Sequence, residues 1–326
     1  MTPRAEKRYS LVADIGGTNT RVALADGKTL LQDSIRRFRN AEYPGLETIL
    51  RAFLEAQNSV ECVGACVAVA GPVANGVASM TNLDWTIDGA TLQRATGATV
   101  VAILNDLQAQ GHALGHIAPE NLRSLISGAP AAAQAAKLVI GVGTGFNAAP
   151  VHETPWGRMV AASECGHVNM PVRSDADLRL AHFVETAHGF PGVEDVLSGR
   201  GLERLFTFVS TEAGSPAERG AAQIMEGLTE EAGTGLATQT ARLFVRLLGA
   251  EAGNLALTHL PFAGVYLCGG VSRAFAPYME AMGFAEAFRD KGRFAGFMQN
   301  FPVHVIEDDY AALTGCAVYL ERGALG

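Results

Sequence analysis

Positive charge is scarce in this sequence. Its 326 residues include 25 Lys and Arg against 33 Asp and Glu, which gives a formal net charge of −8 and a sequence pI of about 5.5. Proteins that bind nucleic acid or anionic membranes as their main task usually carry an excess of basic residues. That function class is therefore disfavoured, although backbone N–H groups or a bound metal can still hold a phosphate in an acidic protein.

Cysteine is also scarce, and its pattern favours neither a disulfide framework nor a zinc cluster. There are five cysteines at scattered positions: Cys62, Cys66, Cys165, Cys268 and Cys316. Four of them lie in apolar surroundings, as expected of buried free thiols in a reducing compartment. No breaker-free apolar run is long enough to span a membrane, and the first ten residues lack a signal-peptide core. We therefore expect a cytoplasmic protein.

Glycine is abundant, with 37 residues that cluster in short motifs, and we interpret these as tight turns near ligands. Residues 11–37 predict two or three consecutive strands. Residues 45–57 carry apolar positions at helical spacing, and the apolar runs 63–70 and 98–104 predict buried strands. This strand–helix–strand order indicates a parallel or mixed sheet that is covered on both faces.

The second half of the chain repeats the opening pattern and then becomes helical. A strand over 138–142, a glycine turn at 143–145 and a returning strand over 148–152 form a second strand–turn–strand unit. The later predicted elements are helices over 202–208, 221–232 and 236–259, strands over 264–267 and 301–306, and a last helix through Glu321 capped by Asp308 or Asp309.

The first candidate site is the turn within LVADIGGTNTRVAL, residues 11–24. Gly16 and Gly17 let the backbone approach a ligand closely, and their N–H groups can point together at an anion. Thr18 adds a hydroxyl donor, and Asp14 at a strand end is placed to hold a hydrated Mg²⁺. Taken alone, this motif fits an ordinary hairpin with a solvated Asp equally well.

A second candidate is the pair Asn105–Asp106, which follows the apolar run VAIL. In open α/β sheets, ligands bind at the carboxyl ends of the strands, and an Asp there can accept a proton from a substrate hydroxyl. An N-cap for a helix that begins near Leu107 is an equally good interpretation of Asp106.

Four later motifs add glycine turns and hydrogen-bonding side chains. GVGTGFN at 141–147 is neither a dinucleotide fingerprint, since Phe146 takes the sixth position, nor a Walker A loop, but it offers a second anion cradle. Glu164 and His167 can face one polyol or form a structural pair. Glu194 can point into a cleft or serve as a charge at a helix N-terminus. Gly269 and Gly270 follow a strand and suit a flat ring.

Taken in order, these motifs resemble the bacterial glucokinases of the hexokinase group, within the actin-like ATPase superfamily. The resemblance runs over nearly the whole chain. It includes four less obvious stretches: MTNLDW at 80–85, SGRGL at 198–202, GNLAL at 253–257 and DKGRF at 290–294.

The resemblance implies a role for each motif. Asp106 is implied as the catalytic base, with Asn105 beside it on the sugar. The other implied sugar ligands are Glu164, His167 and Glu194. The implied nucleotide-binding residues are Ala13, Asp14, Ile15, Gly16, Gly17 and Thr18 in a first phosphate loop, Gly143, Thr144 and Gly145 in a second, and Gly269 and Gly270 as an adenosine platform. Asp14 would hold Mg²⁺ through water.

The resemblance also implies a fold and an activity. We expect the two-domain α/β actin-like ATPase fold (ribonuclease H-like) with an interdomain cleft, a small domain over 1–112 plus 307–326 and a large domain over 113–306. The implied activity is phosphorylation of the 6-hydroxyl of glucose by ATP with Mg²⁺, in a cytoplasmic homodimer that binds neither nucleic acid nor membrane. A kinase for fructose, mannose or an N-acetylhexosamine is one alternative, and a catalytically silent sugar sensor is another.

Two residues depart from the family pattern. Asn147 stands where the second phosphate loop usually continues with glycine, and Cys165 stands where glycine is frequent. Asn147 leaves the details of phosphate contact open, and Cys165 narrows the space beside Glu164. The cysteine-rich zinc motif of the related ROK branch is not found, so no structural zinc is predicted. A sugar-responsive repressor is disfavoured, because ten residues before Leu11 are too few for a helix-turn-helix.

Overall fold

A computed structural model of the chain describes residues 9–80, 83–230 and 233–323. Positions 81–82 of MTNLDW and the last two residues of the helix predicted over 221–232 therefore lie outside the described residues. The chain divides into two compact units, which are residues 1–118 with 308–326 and residues 119–307. The predicted domain assignment stays a prediction, since compactness does not show that either part folds alone.

The strands and helices follow in chain order. The strands are β1 (Tyr9–Ile15), β2 (Asn19–Asp26), β3 (Thr29–Leu30), β4 (Arg36–Arg39), β5 (Cys62–Val69), β6 (Val73–Ala74), β7 (Val77–Ser79), β8 (Thr86–Asp88), β9 (Val100–Asn105), β10 (Leu122–Ile126), β11 (Lys137–Val142), β12 (Phe146–Thr154), β13 (Gly157–Val160), β14 (Val265–Cys268) and β15 (Val303–Ile306). The helices are α1 (Leu46–Ala56), α2 (Gly89–Thr96), α3 (Asp106–Ala113), α4 (Asp175–His188), α5 (Val193–Val196), α6 (Gly199–Glu212), α7 (Ala221–Glu230), α8 (Leu236–His259), α9 (Gly270–Phe275), α10 (Phe284–Arg289) and α11 (Ala311–Gly323).

The first unit contains a mixed sheet in the order β3-β2-β1-β5-β9, with β4 also paired to β2. Strands β1, β5 and β9 are parallel, whereas β2 runs antiparallel to β1, β3 and β4. One face packs on α1, whose buried residues Ile49, Leu50 and Phe53 recur at helical spacing. The other face packs on α11 through Leu313 and Cys316. The predicted mixed sheet with both faces covered is therefore confirmed.

The second unit contains a sheet in the order β10-β15-β14-β11-β12-β13. Here β11, β14 and β15 are parallel, and β12 returns antiparallel to β11. In each unit, two strands joined by a glycine turn form a hairpin. The first strand of the hairpin also belongs to a set of three parallel strands, which are β1, β5 and β9 in the first unit and β11, β14 and β15 in the second. The long helices α6 and α8 supply much of the second core, including Phe206 and Phe244.

The motifs GNLAL and DKGRF contact each other in the second unit. A Cβ on Gly253 of α8 would lie 2.5 Å from the carbonyl oxygen of Phe288 in α10, so only glycine allows this approach. The ammonium of Lys291 donates to the carbonyl of Ala250 at 2.8 Å and to Oδ1 of Asn254 at 2.7 Å. These contacts hold α8 against the segment that follows α10.

The cysteines are free, as predicted. Four of them are buried, and Cys165 is half-buried. In the described part of the chain, no helix combines the length and the apolar character needed to cross a membrane.

Candidate active site

The first glycine turn is braced by a buried side chain that the sequence did not indicate. Strand β1 ends at Ile15 and β2 begins at Asn19, with the N–H of Gly16 donating to the Asn19 carbonyl at 3.0 Å. Asn40 donates from Nδ2 to the carbonyl of Gly16 at 2.7 Å, and its backbone N–H donates to the Thr18 carbonyl at 2.9 Å. Thr20 donates to Oδ1 of Asn40 at 2.8 Å. Asn40 therefore fixes the conformation of the turn.

The hydrogen bonds of Asn40 leave the tip of the turn exposed to solvent. Gly17 and Thr18 are exposed, as a phosphate-binding turn requires. Ala13 and Ile15, by contrast, have side chains fully buried in the core, so they can reach a nucleotide only through the backbone. The turn is therefore a hairpin with an exposed tip, and its role as an anion cradle stays a prediction.

Asp14 lies at the end of β1, opposite Arg21 in β2. The guanidinium Nη1 of Arg21 and the carboxylate Oδ2 of Asp14 are 3.4 Å apart, and the Asp14 side chain keeps 21% of its surface exposed. A pair at this distance on a partly exposed surface contributes little to stability. The Asp14 carboxylate therefore remains accessible to a ligand.

The helix cap at the end of β9 is Asn105 and not Asp106. Its Oδ1 accepts the N–H of Leu107 at 3.0 Å, and Gln108 completes a capping box with the Asn105 N–H. Nδ2 of Asn105 donates to the Gly71 carbonyl at 3.0 Å. The alternative that made Asp106 the N-cap is therefore wrong: Asp106 is the first residue of α3, and Asn105 already caps that helix.

Asp14 and Asp106 lie at the same edge of the sheet. Strand pairing places Ile15 beside Val69 and Val69 beside Asn105, so β1, β5 and β9 end at one level. Burial raises the pKa of Asp106 to about 6, and the negative charge of Asp14 adds to the rise, while hydrogen bonds from the backbone and Asn105 oppose it. A half-buried carboxylate with a pKa near the working pH is suited to accept a proton.

The second glycine turn joins β11 to β12. The N–H of Gly143 donates to the Gly145 carbonyl at 2.9 Å, and the Gly143 carbonyl accepts the N–H of Gly199 at 2.9 Å. Thr144 at the tip is exposed. Gly269 has a φ of +94° and lies against this hairpin, since a Cβ there would be 2.4 Å from the Val142 carbonyl oxygen. Gly269 and exposed Gly270 therefore lie beside the second turn.

Glu194 and the segment that carries Glu164 and His167 lie beside this turn. Glu194 in α5 accepts the N–H of Phe146 with Oε2 at 2.9 Å, and a Cβ on Gly145 would lie 2.4 Å from that oxygen. A Cβ on Gly166 would lie 2.0 Å from the Phe146 carbonyl oxygen, which brings the segment of Glu164 and His167 to the same place.

Glu164 and His167 are open to solvent. Oε2 of Glu164 and Nε2 of His167 are 4.0 Å apart, and the side chains are 67% and 68% exposed. This distance is too long for a hydrogen bond, so both groups keep their capacity to bind hydroxyls. Within the residues that the structure describes, no group of three or more His, Cys, Asp and Glu is arranged to hold a metal ion.

The SGRGL motif forms the start of α6 next to Glu194. Ser198 accepts the N–H of Gly201 at 3.0 Å, as an N-cap does, and donates to the Glu194 carbonyl at 2.8 Å. A Cβ on Gly201 would lie 2.5 Å from the carbonyl carbon of Val196. The motif therefore positions the short helix that carries Glu194.

Comparison with known proteins places this geometry in a family. The family described as Glucokinase matches residues 11–323. A glucokinase of Saccharophagus degradans is 32% identical over 317 residues, covering 96% of this chain and 98% of that protein.

Solved structures agree with the sequence comparison. The crystal structure of a glucokinase from an Antarctic psychrotroph superposes with a TM-score of 0.85 at 29% identity, covering 96% of this chain and 98% of that one. A glucokinase of Balamuthia mandrillaris in complex with glucose has the same fold, with a TM-score of 0.82 at 22% identity over 99% of this chain and 96% of that one. The predicted actin-like ATPase fold class is confirmed, and the chain belongs to the glucokinase family.

Proposed function

We propose that this chain transfers the γ-phosphoryl group of ATP to the 6-hydroxyl of glucose and releases ADP and glucose 6-phosphate. The observation that carries the proposal is Asp106, a half-buried carboxylate at the start of α3, directly after β9 and at the same edge of the sheet as Asp14, whose pKa is raised to about 6. Membership of the glucokinase family supports the choice of reaction. The proposal also includes a cytoplasmic homodimer, on the family resemblance alone.

Asp106 acts as the general base in this proposal. It accepts the proton of the 6-hydroxyl as that oxygen attacks the γ-phosphorus and the bond from phosphorus to the ADP oxygen breaks. Phosphoryl transfer asks little covalent chemistry of a protein, so positioning and electrostatic stabilisation supply most of the catalysis. Backbone N–H groups of both glycine turns, with the hydroxyls of Thr18 and Thr144, would stabilise charge on the phosphoryl oxygens.

The sugar ligands are assigned by the same proposal. Asn105, whose Nδ2 donates to the Gly71 carbonyl, would lie beside Asp106 on the sugar, as the family resemblance implies. The carboxylates of Glu164 and Glu194 would accept hydrogen bonds from sugar hydroxyls, and His167 can donate or accept. Gly269 and Gly270 would form the surface on which the adenosine lies.

The residues present fit a magnesium ion held mainly by phosphates and water. Mg²⁺ in kinases usually binds through one or two carboxylates and substrate phosphates, not through an all-protein cage. Asp14 offers a partly exposed carboxylate beside the phosphate turn. When bound, the ion would neutralise charge on the phosphates. Asp14 would hold it through water, as the family resemblance implies.

A coupled assay of ATP consumption with a panel of hexoses tests the proposal. We expect kcat/KM for glucose to exceed the values for fructose, mannose and N-acetylglucosamine. A higher value for another hexose would reassign the substrate, and no ATP consumption with any of these sugars would overturn the kinase activity.

Replacing Glu164 with alanine is expected to raise the KM for glucose about tenfold or more, with a smaller change in kcat. A hydrogen bond to a charged group contributes about 1.5–3 kcal/mol, which corresponds to that range in binding. Glu185→Ala is a matched control, because Glu185 forms another exposed i,i+3 pair with His182, 3.5 Å apart, on α4. An unchanged glucose KM in Glu164→Ala would remove Glu164 from the sugar site.

The pH dependence follows from the raised pKa of Asp106. Below about pH 6 the carboxyl is increasingly protonated and cannot accept a proton, so we expect kcat/KM for glucose to fall about tenfold per pH unit on the acid side. When the MgATP concentration is kept well below the KM for MgATP, the pH dependence reports the pKa of Asp106 in the free enzyme. Asp14→Asn removes a negative charge that raises this pKa, so its acid limb should lie at lower pH. An unshifted limb would contradict the assigned cause.

A further inference from the structure

We propose that Asn147 is a positioning residue that fixes the carboxylate of Glu164, and that it thereby sets the affinity of this chain for its sugar. The inference rests on the proposed role of Glu164 as a sugar ligand. Asn147 lies directly after the second glycine turn, on β12, and is paired in register with Gly141 of β11. It therefore belongs to a fixed part of the sheet.

Both ends of the Asn147 amide are engaged. Oδ1 accepts the N–H of Ala148 at 2.8 Å and the N–H of Cys165 at 3.2 Å. Because both donors are backbone N–H groups, which cannot accept, they identify this end of the amide as the oxygen. Nδ2 on the other end donates to the Ser163 carbonyl and, at 3.3 Å, to Oε2 of Glu164.

These hydrogen bonds connect the loop of Glu164 to the sheet. Residues 161–164 have neither helical nor strand structure, and Ser163 adds a hydrogen bond from its hydroxyl to the Ala148 carbonyl at 2.7 Å. The thiol of Cys165 lies 3.5 Å from Oδ1 of Asn147. The two residues that depart from the family pattern, Asn147 and Cys165, are therefore in contact with each other.

This arrangement restricts the position of the Glu164 carboxylate. Its side chain is 67% exposed, and Oε2 lies nearer to the amide of Asn147, at 3.3 Å, than to the imidazole of His167, at 4.0 Å. An exposed Glu has several rotamers, and restricting them before the ligand binds lowers the entropy cost of binding. The donor of Asn147 points at one carboxylate oxygen and leaves the other for a sugar hydroxyl.

The variant Asn147→Asp removes the donor to Glu164 and places a negative charge beside it. It keeps an acceptor for the N–H groups of Ala148 and Cys165, but a second carboxylate replaces the donor to both the Ser163 carbonyl and Glu164. We expect the glucose KM to rise about tenfold in Asn147→Asp and about fivefold in Asn147→Ala, with the MgATP KM nearly unchanged. An unchanged glucose KM in both variants would overturn the proposal, and so would an equal effect of Asn147→Asp in a chain that lacks the Glu164 carboxylate, which is the result that a loop anchor alone would give.

A double-mutant cycle tests whether Asn147 acts through Glu164. In the Glu164→Ala background, Asn147→Asp should change the glucose KM less than twofold, because the group that it positions is gone. A full tenfold effect in that background would contradict the inference. Asn300→Asp is the control, since the amide of Asn300 likewise donates to a backbone carbonyl, that of Phe297 at 2.8 Å, in another part of the second unit.

The activities of the unmodified chain and of Glu164→Ala show which of the two proposals has failed. If the unmodified chain does not phosphorylate glucose, the proposed function fails. If it does, and Glu164→Ala raises the glucose KM while the Asn147 variants leave it unchanged, the inference about Asn147 alone fails.

Discussion

Replacing Asp106 with alanine is expected to lower kcat for glucose by about 10²–10⁴, the range that a positioned general base contributes. Glucose binding should weaken by much less, because Asn105 and the proposed ligands Glu164, His167 and Glu194 remain. The physical reason is that Asp106 is the half-buried carboxylate beside the end of β9, with a pKa raised by burial and by Asp14.

The measurement is steady-state kinetics together with calorimetric titration of glucose, which separates turnover from binding. Asp106→Asn should lose turnover like Asp106→Ala, since an amide has the same shape but cannot accept a proton from a hydroxyl at this step. Near-normal kcat in either variant would remove Asp106 as the base.

Asp88 offers a matched control in the same unit. It also lies at a junction of strand and helix, between β8 and α2, but there the carboxylate accepts the N–H of Thr91 at 2.7 Å as an N-cap. Asp88→Ala should lower the stability of the protein, because the cap of α2 is lost, and leave kcat unchanged. Each junction places an Asp between a strand and a helix, and the structure shows which Asp caps its helix.

The parts of the site that the sequence predicted are those that depend on strand ends. Apolar runs followed by Asp14, by Asn105–Asp106 and by the glycine turn 143–145 are local patterns, and within the first unit parallel pairing brings the ends of β1 and β9 to one edge of the sheet. The buried strands and the α1 helix are predictable for the same reason, since an apolar run or a helical spacing is contained in a few consecutive residues.

The parts that the sequence did not predict depend on contacts between distant residues. Asn40 braces Gly16 across 24 positions, and Glu194 reaches the N–H of Phe146 across 48. No periodicity distinguishes a buried Asn that fixes a turn from one on the surface. Asn147 stands out in the sequence only as a departure from the family pattern, and its link to Glu164 across 17 positions needed the structure.

The second large effect is expected from Gly315→Ala in α11. A Cβ on Gly315 would lie 1.8 Å from the carbonyl oxygen of Ala109 in α3 and 2.6 Å from its carbonyl carbon. Both atoms belong to the backbone of a buried helix, so they cannot rotate away as a flexible side chain would. We expect a loss of about 3 kcal/mol or more in stability, at the upper end for overpacking.

The same substitution should reduce turnover, because α3 begins at Asp106 and must move away from α11 to admit the methyl group. A displacement of about 1 Å at a catalytic group can cost about 10² in rate. Differential scanning calorimetry and kcat measured below the transition test both parts. Gly296→Ala is the control, since Gly296 has a helical φ of −66° and no atom lies within 4 Å of the place that its new methyl group would take, so it should be neutral or slightly stabilising. A Gly315→Ala protein as stable and as active as the Gly296→Ala protein would show that α3 can shift without cost, and that the position of Asp106 does not depend on its packing against α11.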